Sequence, residues 1–101
     1  MEIIRGTTPT FIYTYHEADV DDMTSAYLTI KGGSTTIEKD LTEATVSSAN
    51  NTLAWTLTQQ ESLSLGNVVR AMVNYKLADG TRGASEKTTF IVSENYKEGQ
   101  I

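Results

Sequence analysis

Apolar and polar residues alternate along most of this chain, which is the pattern of β-strands that turn one face toward a core. Residues that favour turns interrupt the alternation roughly every ten positions. The segments that alternate or favour strands are 9–15, 25–31, 35–41, 44–48, 53–57, 67–77 and 82–92. Residues 2–5 are a candidate for a separate edge strand. About seven short strands with these turn signals predict a sandwich of two antiparallel sheets.

Two glycine-containing pairs mark the tightest predicted hairpins. Gly32-Gly33 follows the second of these segments, and Asp79-Gly80 follows the sixth. Both pairs favour hairpin turns because glycine adopts positive φ without steric cost. We therefore expect each pair to join two neighbouring antiparallel strands.

The alternation stops abruptly after Leu57. The next residues, Thr58-Gln59-Gln60-Glu61, have the spacing of a capping box, in which a Thr hydroxyl and a Glu carboxylate cap each other's backbone amides. This predicts one short helical turn near residues 59–64, crossing from one sheet to the other and ended by Gly66.

Trp55, the single tryptophan, lies on the same face of its predicted strand as Leu53 and Leu57. An aromatic platform for a sugar would more often have polar neighbours at those positions. Apolar neighbours favour an indole packed in the core. A ligand platform remains the alternative interpretation.

Length and charge restrict the class of protein. The chain has 101 residues, which predicts one domain over 1–101, and no cysteine that could form a disulfide. Its net charge is −5 and its basic residues occur singly, which disfavours nucleic acid and anionic lipid as partners. No apolar run has the length of a membrane span, and the first residues lack the pattern of a signal peptide. We expect no nucleic acid, no membrane and no secretion by a signal peptide.

Catalytic chemistry has little support in the sequence. His16, the single histidine, is next to Glu17, and such a pair could activate a Ser or Thr nucleophile. No nucleophile motif of the Gly-x-Ser-x-Gly or Ser-x-x-Lys type accompanies it. We predict that the protein is not an enzyme, with no catalytic residues and no cofactor.

The segment Glu17–Asp22 carries the densest group of carboxylates: Glu17, Asp19, Asp21 and Asp22. Carboxylate oxygens on a loop are ligands for Ca²⁺, but the spacing differs from that of an EF-hand. A solvated acidic loop is the commoner outcome, so we predict no metal site and leave Ca²⁺ binding open.

Five side chains are predicted to point away from the core and to form a partner surface: Tyr27, Val68, Met72, Ile91 and Tyr96. Tyrosine offers a large contact area at little entropic cost. The three aliphatic side chains would form an exposed apolar stripe if the Asp79-Gly80 hairpin makes them adjacent, and such stripes often mark interaction surfaces.

Four stretches together resemble a known group of proteins: RGTTPTFIYTY (5–15), LAWTLTQQESLSL (53–65), LADGTR (77–82) and GASEKTTFIV (83–92). The arrangement is similar to small β-sandwich structural proteins of tailed phages and prophages of Gram-positive bacteria, in particular the amino-terminal domain of upper baseplate proteins.

That resemblance implies an Ig-like antiparallel sandwich and a non-enzymatic role in the tail or baseplate of a virion assembled in the bacterial cytoplasm. It implies protein–protein contacts with other phage structural proteins, or with further copies of the chain in a ring-like homo-oligomer. A carbohydrate- or cell-surface-binding module is the alternative, and an exposed Trp55 or a Ca²⁺ effect would favour it.

Overall fold

The fold consists of two β-sheets packed face to face, with few helical turns. The computed structural model describes residues 2–85 and 87–94, with the side chain of Glu2 left out. Its strands are β1 Glu2–Ile4, β2 Thr10–Thr14, β3 Met23–Gly32, β4 Thr35–Asp40, β5 Thr45–Ser47, β6 Thr52–Thr56, β7 Val68–Leu77, β8 Arg82–Ala84 and β9 Thr88–Ser93. The α-helix α1 spans Gln59–Leu63, and 3-10 turns span Val20–Asp22 and Leu41–Glu43. None of the described helices is long and apolar enough to cross a membrane.

The larger sheet has the strand order β1-β9-β7-β3-β4, with β8 paired to β7 beside β9. The smaller sheet has the order β2-β6-β5. The pairs β3–β4, β5–β6 and β7–β8 join consecutive strands, whereas β1–β9, β2–β6 and β3–β7 join strands that are distant in sequence. The predicted fold class, an all-β sandwich with one short α-helical turn, is confirmed.

Two details of the prediction were wrong. The described residues form nine strands rather than about seven, because the candidate edge strand is present as β1 and the predicted strand 82–92 is divided into β8 and β9. The sheets are also not purely antiparallel, since β1 pairs with β9 in parallel, with Ile3 opposite Val92. Within the predicted segment 2–5, Glu2–Ile4 form an edge strand of the large sheet, joined to the last strand of the described chain.

A β-bulge divides the returning strand at Ser85. The Val73 amide donates to Ser85 Oγ at 2.9 Å, and the Ser85 amide donates to the Val73 carbonyl at 2.8 Å. The register then shifts by one residue between the pair Asn74–Ala84 and the pair Ala71–Thr88. A side chain that takes the place of a ladder acceptor interrupts the pairing, as bulges do.

Both predicted hairpins form. Gly33 adopts φ 64° between β3 and β4, and Gly80 adopts φ 91° between β7 and β8. At the second turn the Asp79 carboxylate accepts from the Thr81 amide at 2.8 Å. That hydrogen bond holds the pKa of Asp79 below its ordinary value.

Trp55 lies at the centre of the core, as predicted, and has no exposed surface. Its Nε1 donates to the Asp40 carbonyl at 2.8 Å, which connects the middle strand of the small sheet to the end of β4 in the large sheet. The Tyr13 ring packs edge-on against the indole, with ring centroids 6.4 Å apart. A second edge-on pair, Phe11 of the small sheet and Phe90 of the large sheet, makes contact between the sheets at a ring-centroid distance of 5.0 Å.

The α-helical turn carries the chain from the small sheet to the large one. The predicted capping box is present, because Glu61 N donates to Thr58 Oγ1 and Thr58 N donates to Glu61 Oε1. The helix ends at Leu63 rather than continuing to Gly66. Ser62 is fully buried, and its Oγ accepts from the Gly6 amide at 2.8 Å. This bond ties the connection between β1 and β2 to the helix.

Replacement of Ser62 by alanine should lower the free energy of unfolding by about 1–3 kcal/mol, because the buried Gly6 amide loses its acceptor. Chemical unfolding monitored by tryptophan fluorescence measures this change. Ser64→Ala is the matched control, since Ser64 is exposed and its Oγ donates only to the Glu61 carbonyl. Equal losses in the two variants would contradict the role assigned to Ser62.

Candidate interaction surface

The outer face of the large sheet is the surface that points away from the small sheet. Four of the five predicted partner residues lie on it. Tyr27, Val68 and Ile91 are 44%, 49% and 61% exposed, and Met72 is half-buried. Tyr96 lies outside the described residues.

One end of this face is apolar. Val68 on β7 lies directly opposite Ile91 on β9. Ile91 in turn lies opposite Glu2 of β1, so Ile4, two residues further along β1, faces the same side and is 45% exposed. We call Ile4, Val68 and Ile91 the apolar patch. Ile4 was not predicted, because only the parallel pairing of β1 with β9 brings it beside the other two.

The predicted apolar stripe is not continuous. Met72 lies opposite Thr29 on β3, and Tyr27 lies opposite Asn74, which makes Met72 and Tyr27 diagonal neighbours. The pair formed by Arg70 and Lys31 lies between them and Val68. The outer face therefore has two apolar areas with a row of positive charge between them.

That charged row borders a groove of about 410 Å³ on the outer face. We call it the basic groove. It is lined by the basic side chains of Lys31, Arg70 and Lys87 together with Thr29, Met72 and Asn74. Lys31 lies directly opposite Arg70 across the β3–β7 ladder, an arrangement that is destabilising for like charges. None of the three basic side chains makes an ion pair with a described carboxylate.

The four acidic residues predicted as a loop lie between β2 and β3, around the first 3-10 turn. Asp19 caps that turn by accepting from the Asp21 amide, and Ser48 Oγ donates to Asp21 at 2.7 Å. The part of the chain that the structure describes contains no group of three or more acidic or histidine side chains arranged to hold a metal ion. Ca²⁺ binding by this loop is untested.

The Asn51 side chain holds the acidic loop in shape. Its Nδ2 donates to the Tyr15 carbonyl at 2.6 Å and to the Ala18 carbonyl at 2.8 Å, and its Oδ1 accepts from the Val20 amide at 2.8 Å. Asn51 adopts φ 54°, a conformation that Asn tolerates better than most residues. The loop is therefore organised by a side chain from the turn before β6.

His16 lines a groove of about 440 Å³ at the end of the sandwich. Ser85 and Thr88 line the same groove, so a histidine and two hydroxyl side chains border one cavity. His16 makes no hydrogen bond to any residue in 2–85 or 87–94, and Ser85 Oγ accepts from the Val73 amide. No nucleophile–base hydrogen bond is formed there among the described residues.

Tyr15 lies beside this groove with its ring buried against Tyr75, at a centroid distance of 5.5 Å. Its hydroxyl is buried and has no hydrogen-bond partner among the described residues. Burial raises the pKa of Tyr15 well above its ordinary value, and the nearby Tyr13 and Tyr75 add to the shift. The neutral hydroxyl is therefore strongly favoured in the folded state.

Comparison with known proteins gives no family to which the chain can be assigned. No protein-family model matches the sequence, and no curated protein matches it.

Replacement of Tyr15 by phenylalanine should raise the free energy of unfolding by about 1 kcal/mol, because a buried hydroxyl without a partner costs free energy. Thermal and urea unfolding measure the change. Tyr27→Phe, at an exposed position of the outer face, is the control and should change stability little. A Tyr15→Phe variant less stable than the wild type would show that the hydroxyl has a favourable partner.

Stability should also fall as the pH rises above about 10, the ordinary pKa of tyrosine. In the unfolded chain Tyr15 loses its proton there, whereas in the folded protein it keeps its proton because its pKa is raised. The unfolded state then binds fewer protons, so the free energy of unfolding decreases with pH. Urea unfolding at a series of alkaline pH values should show a shallower decrease for Tyr15→Phe. The same slope in both proteins would contradict this assignment.

Proposed function

We propose that this chain is a non-enzymatic structural or accessory protein of a phage or prophage particle, of the tail or baseplate type, that acts through protein–protein contacts. The observation that carries the contact role is the apolar patch of Ile4, Val68 and Ile91 on the outer face of the large sheet. The particle assignment is supported by the resemblance of the four sequence stretches described above.

The apolar patch is suited to contacts that are repeated in an assembly. Covering the exposed part of each of its three side chains would contribute about 1 kcal/mol, or about 3 kcal/mol in total. That is too little to overcome the cost of association for a single pair of molecules. It becomes effective where several copies bind together, because linked contacts reinforce one another in a symmetric particle.

The edge strand next to the patch extends this surface. β1 is three residues long and forms one edge of the large sheet, so its outer backbone groups are not used within that sheet. A partner strand could pair there while its side chains contact Ile4 and Ile91. The opposite edge, β4, carries Glu38, Lys39 and Asp40, which oppose edge-to-edge pairing.

The sugar-binding alternative gains no support from the position of Trp55. A stacking platform needs an accessible ring face, and this indole has no exposed surface. The exposed aromatic side chain of the outer face is Tyr27, which lines a shallow groove together with Tyr75, Lys76 and Arg82.

Mass spectrometry of purified particles, released from the source bacterium by prophage induction, tests the proposal. The chain should occur in a fixed ratio to the major tail protein. A Val68→Ser/Ile91→Ser variant should fold but be lost from particles, because its patch is polar. Ile12→Ser is the matched control, since Ile12 is 65% exposed on the small sheet. Abundance in cells without incorporation of the wild type into particles would overturn the proposal.

A further inference from the structure

We infer that the basic groove binds the acidic loop of a second copy of this chain. The acidic loop is residues Glu17–Asp22, and the groove is formed around Lys31, Arg70 and Lys87. The inference rests on the proposed function in one respect, namely that the chain acts through protein–protein contacts.

The charge distribution of the groove calls for an anionic partner. Three of the eight basic residues of a chain with net charge −5 border this one groove. In the row that holds Lys31 and Arg70, the neighbours on the adjacent strands are Thr36 and Thr89, which cannot neutralise either charge. Glu38 lies diagonally from Lys31 but forms no ion pair with it. A carboxylate from outside would relieve the repulsion within this row.

The acidic loop supplies the matching charge in a fixed shape. Its four carboxylates lie within six residues and are all exposed. The three hydrogen bonds of the Asn51 side chain and the cap formed by Asp19 hold the backbone before any partner binds. A preorganised loop loses little conformational entropy on binding, so more of the electrostatic attraction remains as affinity.

The acidic loop lies far from the Lys31–Arg70 pair of its own molecule. The loop leads into Met23 at the start of β3, whereas Lys31 is eight residues further along the same strand, since 31 − 23 = 8. At about 3.3 Å per residue the strand separates them by about 26 Å. The separation is well beyond the Debye length of about 8 Å at physiological salt, so the loop of the same molecule does not neutralise Lys31 or Arg70.

Two arrangements satisfy a contact between these unlike surfaces. In a two-fold dimer each groove binds the loop of the other copy, and no surface is left free. In a head-to-tail arrangement one contact per pair leaves a free loop at one end and a free groove at the other. The head-to-tail assembly grows into a ring if the rotation per copy closes, or into a filament if it does not. Pairing groove to groove, or loop to loop, would instead place like charges together.

Two variants that each neutralise one surface test this arrangement. The groove variant is Lys31→Gln/Arg70→Gln, and the loop variant is Glu17→Gln/Asp21→Asn/Asp22→Asn. At low ionic strength the wild type should self-associate in analytical ultracentrifugation, and each variant alone should associate at least about tenfold more weakly. An equimolar mixture of the two should form a 1:1 dimer, because one intact groove and one intact loop remain.

The control variant, Lys76→Gln/Arg82→Gln, removes two positive charges from the same sheet outside the basic groove and should associate like the wild type. Circular dichroism confirms that each variant is folded, and the single changes Arg70→Gln and Asp22→Asn give the same test with a smaller disturbance. Raised salt should weaken the association of the wild type.

Four outcomes would overturn the inference. The first three are a wild type that stays monomeric at all concentrations, a mixture that forms no dimer, and a control that weakens as much as the groove variant. Association that survives in both variants but is lost in Val68→Ser/Ile91→Ser would also overturn it, while supporting the proposed contact role of the apolar patch. The particle measurement is independent of all four results.

Discussion

The hydrogen bond from the Trp55 indole to the Asp40 carbonyl joins the two sheets, and the packing of the core around Trp55 depends on it. Trp55 belongs to the central strand of the small sheet, and Asp40 ends the edge strand of the large one. Asp40 also caps the 3-10 turn that follows it. Its carboxylate accepts from the Thr42 amide, and its own amide donates to the Glu43 carboxylate in a capping box. Asp40 therefore holds both the hydrogen bond between the sheets and the turn Leu41–Glu43 that leads into β5.

A consequence of this packing is that the two sheets present different chemistry to solvent. The small sheet has an outer face that is rich in hydroxyl groups, where Thr10 and Thr56 bond to each other at 2.8 Å across β2 and β6. The large sheet carries the exposed aliphatic side chains of the apolar patch and the basic groove. The acidic residues of the loop lie at the end of the molecule where β3 begins. Charge is thus segregated along the molecule, although the chain is acidic as a whole.

Features set by neighbouring residues were predictable, and features set by distant pairing were not. Alternation predicted the long strands and the burial of Trp55, and the spacing from Thr58 to Glu61 predicted the helical turn. The basic groove could not be predicted, because Lys31 and Arg70 occur singly in the sequence and only the register of β3 against β7 makes them neighbours. The bulge was missed for a related reason, since it depends on the Ser85 side chain acting as an acceptor for Val73.

The parallel pairing of β1 with β9 has a consequence for the order in which the protein can fold. Glu2 pairs with Ile91, so β1 has no strand partner until nearly the whole described chain has been synthesised. Contacts of such large sequence separation close late, because the entropy of the intervening loop must be lost first. During synthesis on the ribosome, Ile3 stays exposed until Val92 has been made, whereas strands β2 to β7 are able to pair earlier. The large sheet can therefore be completed by β1 only after β9 has been translated.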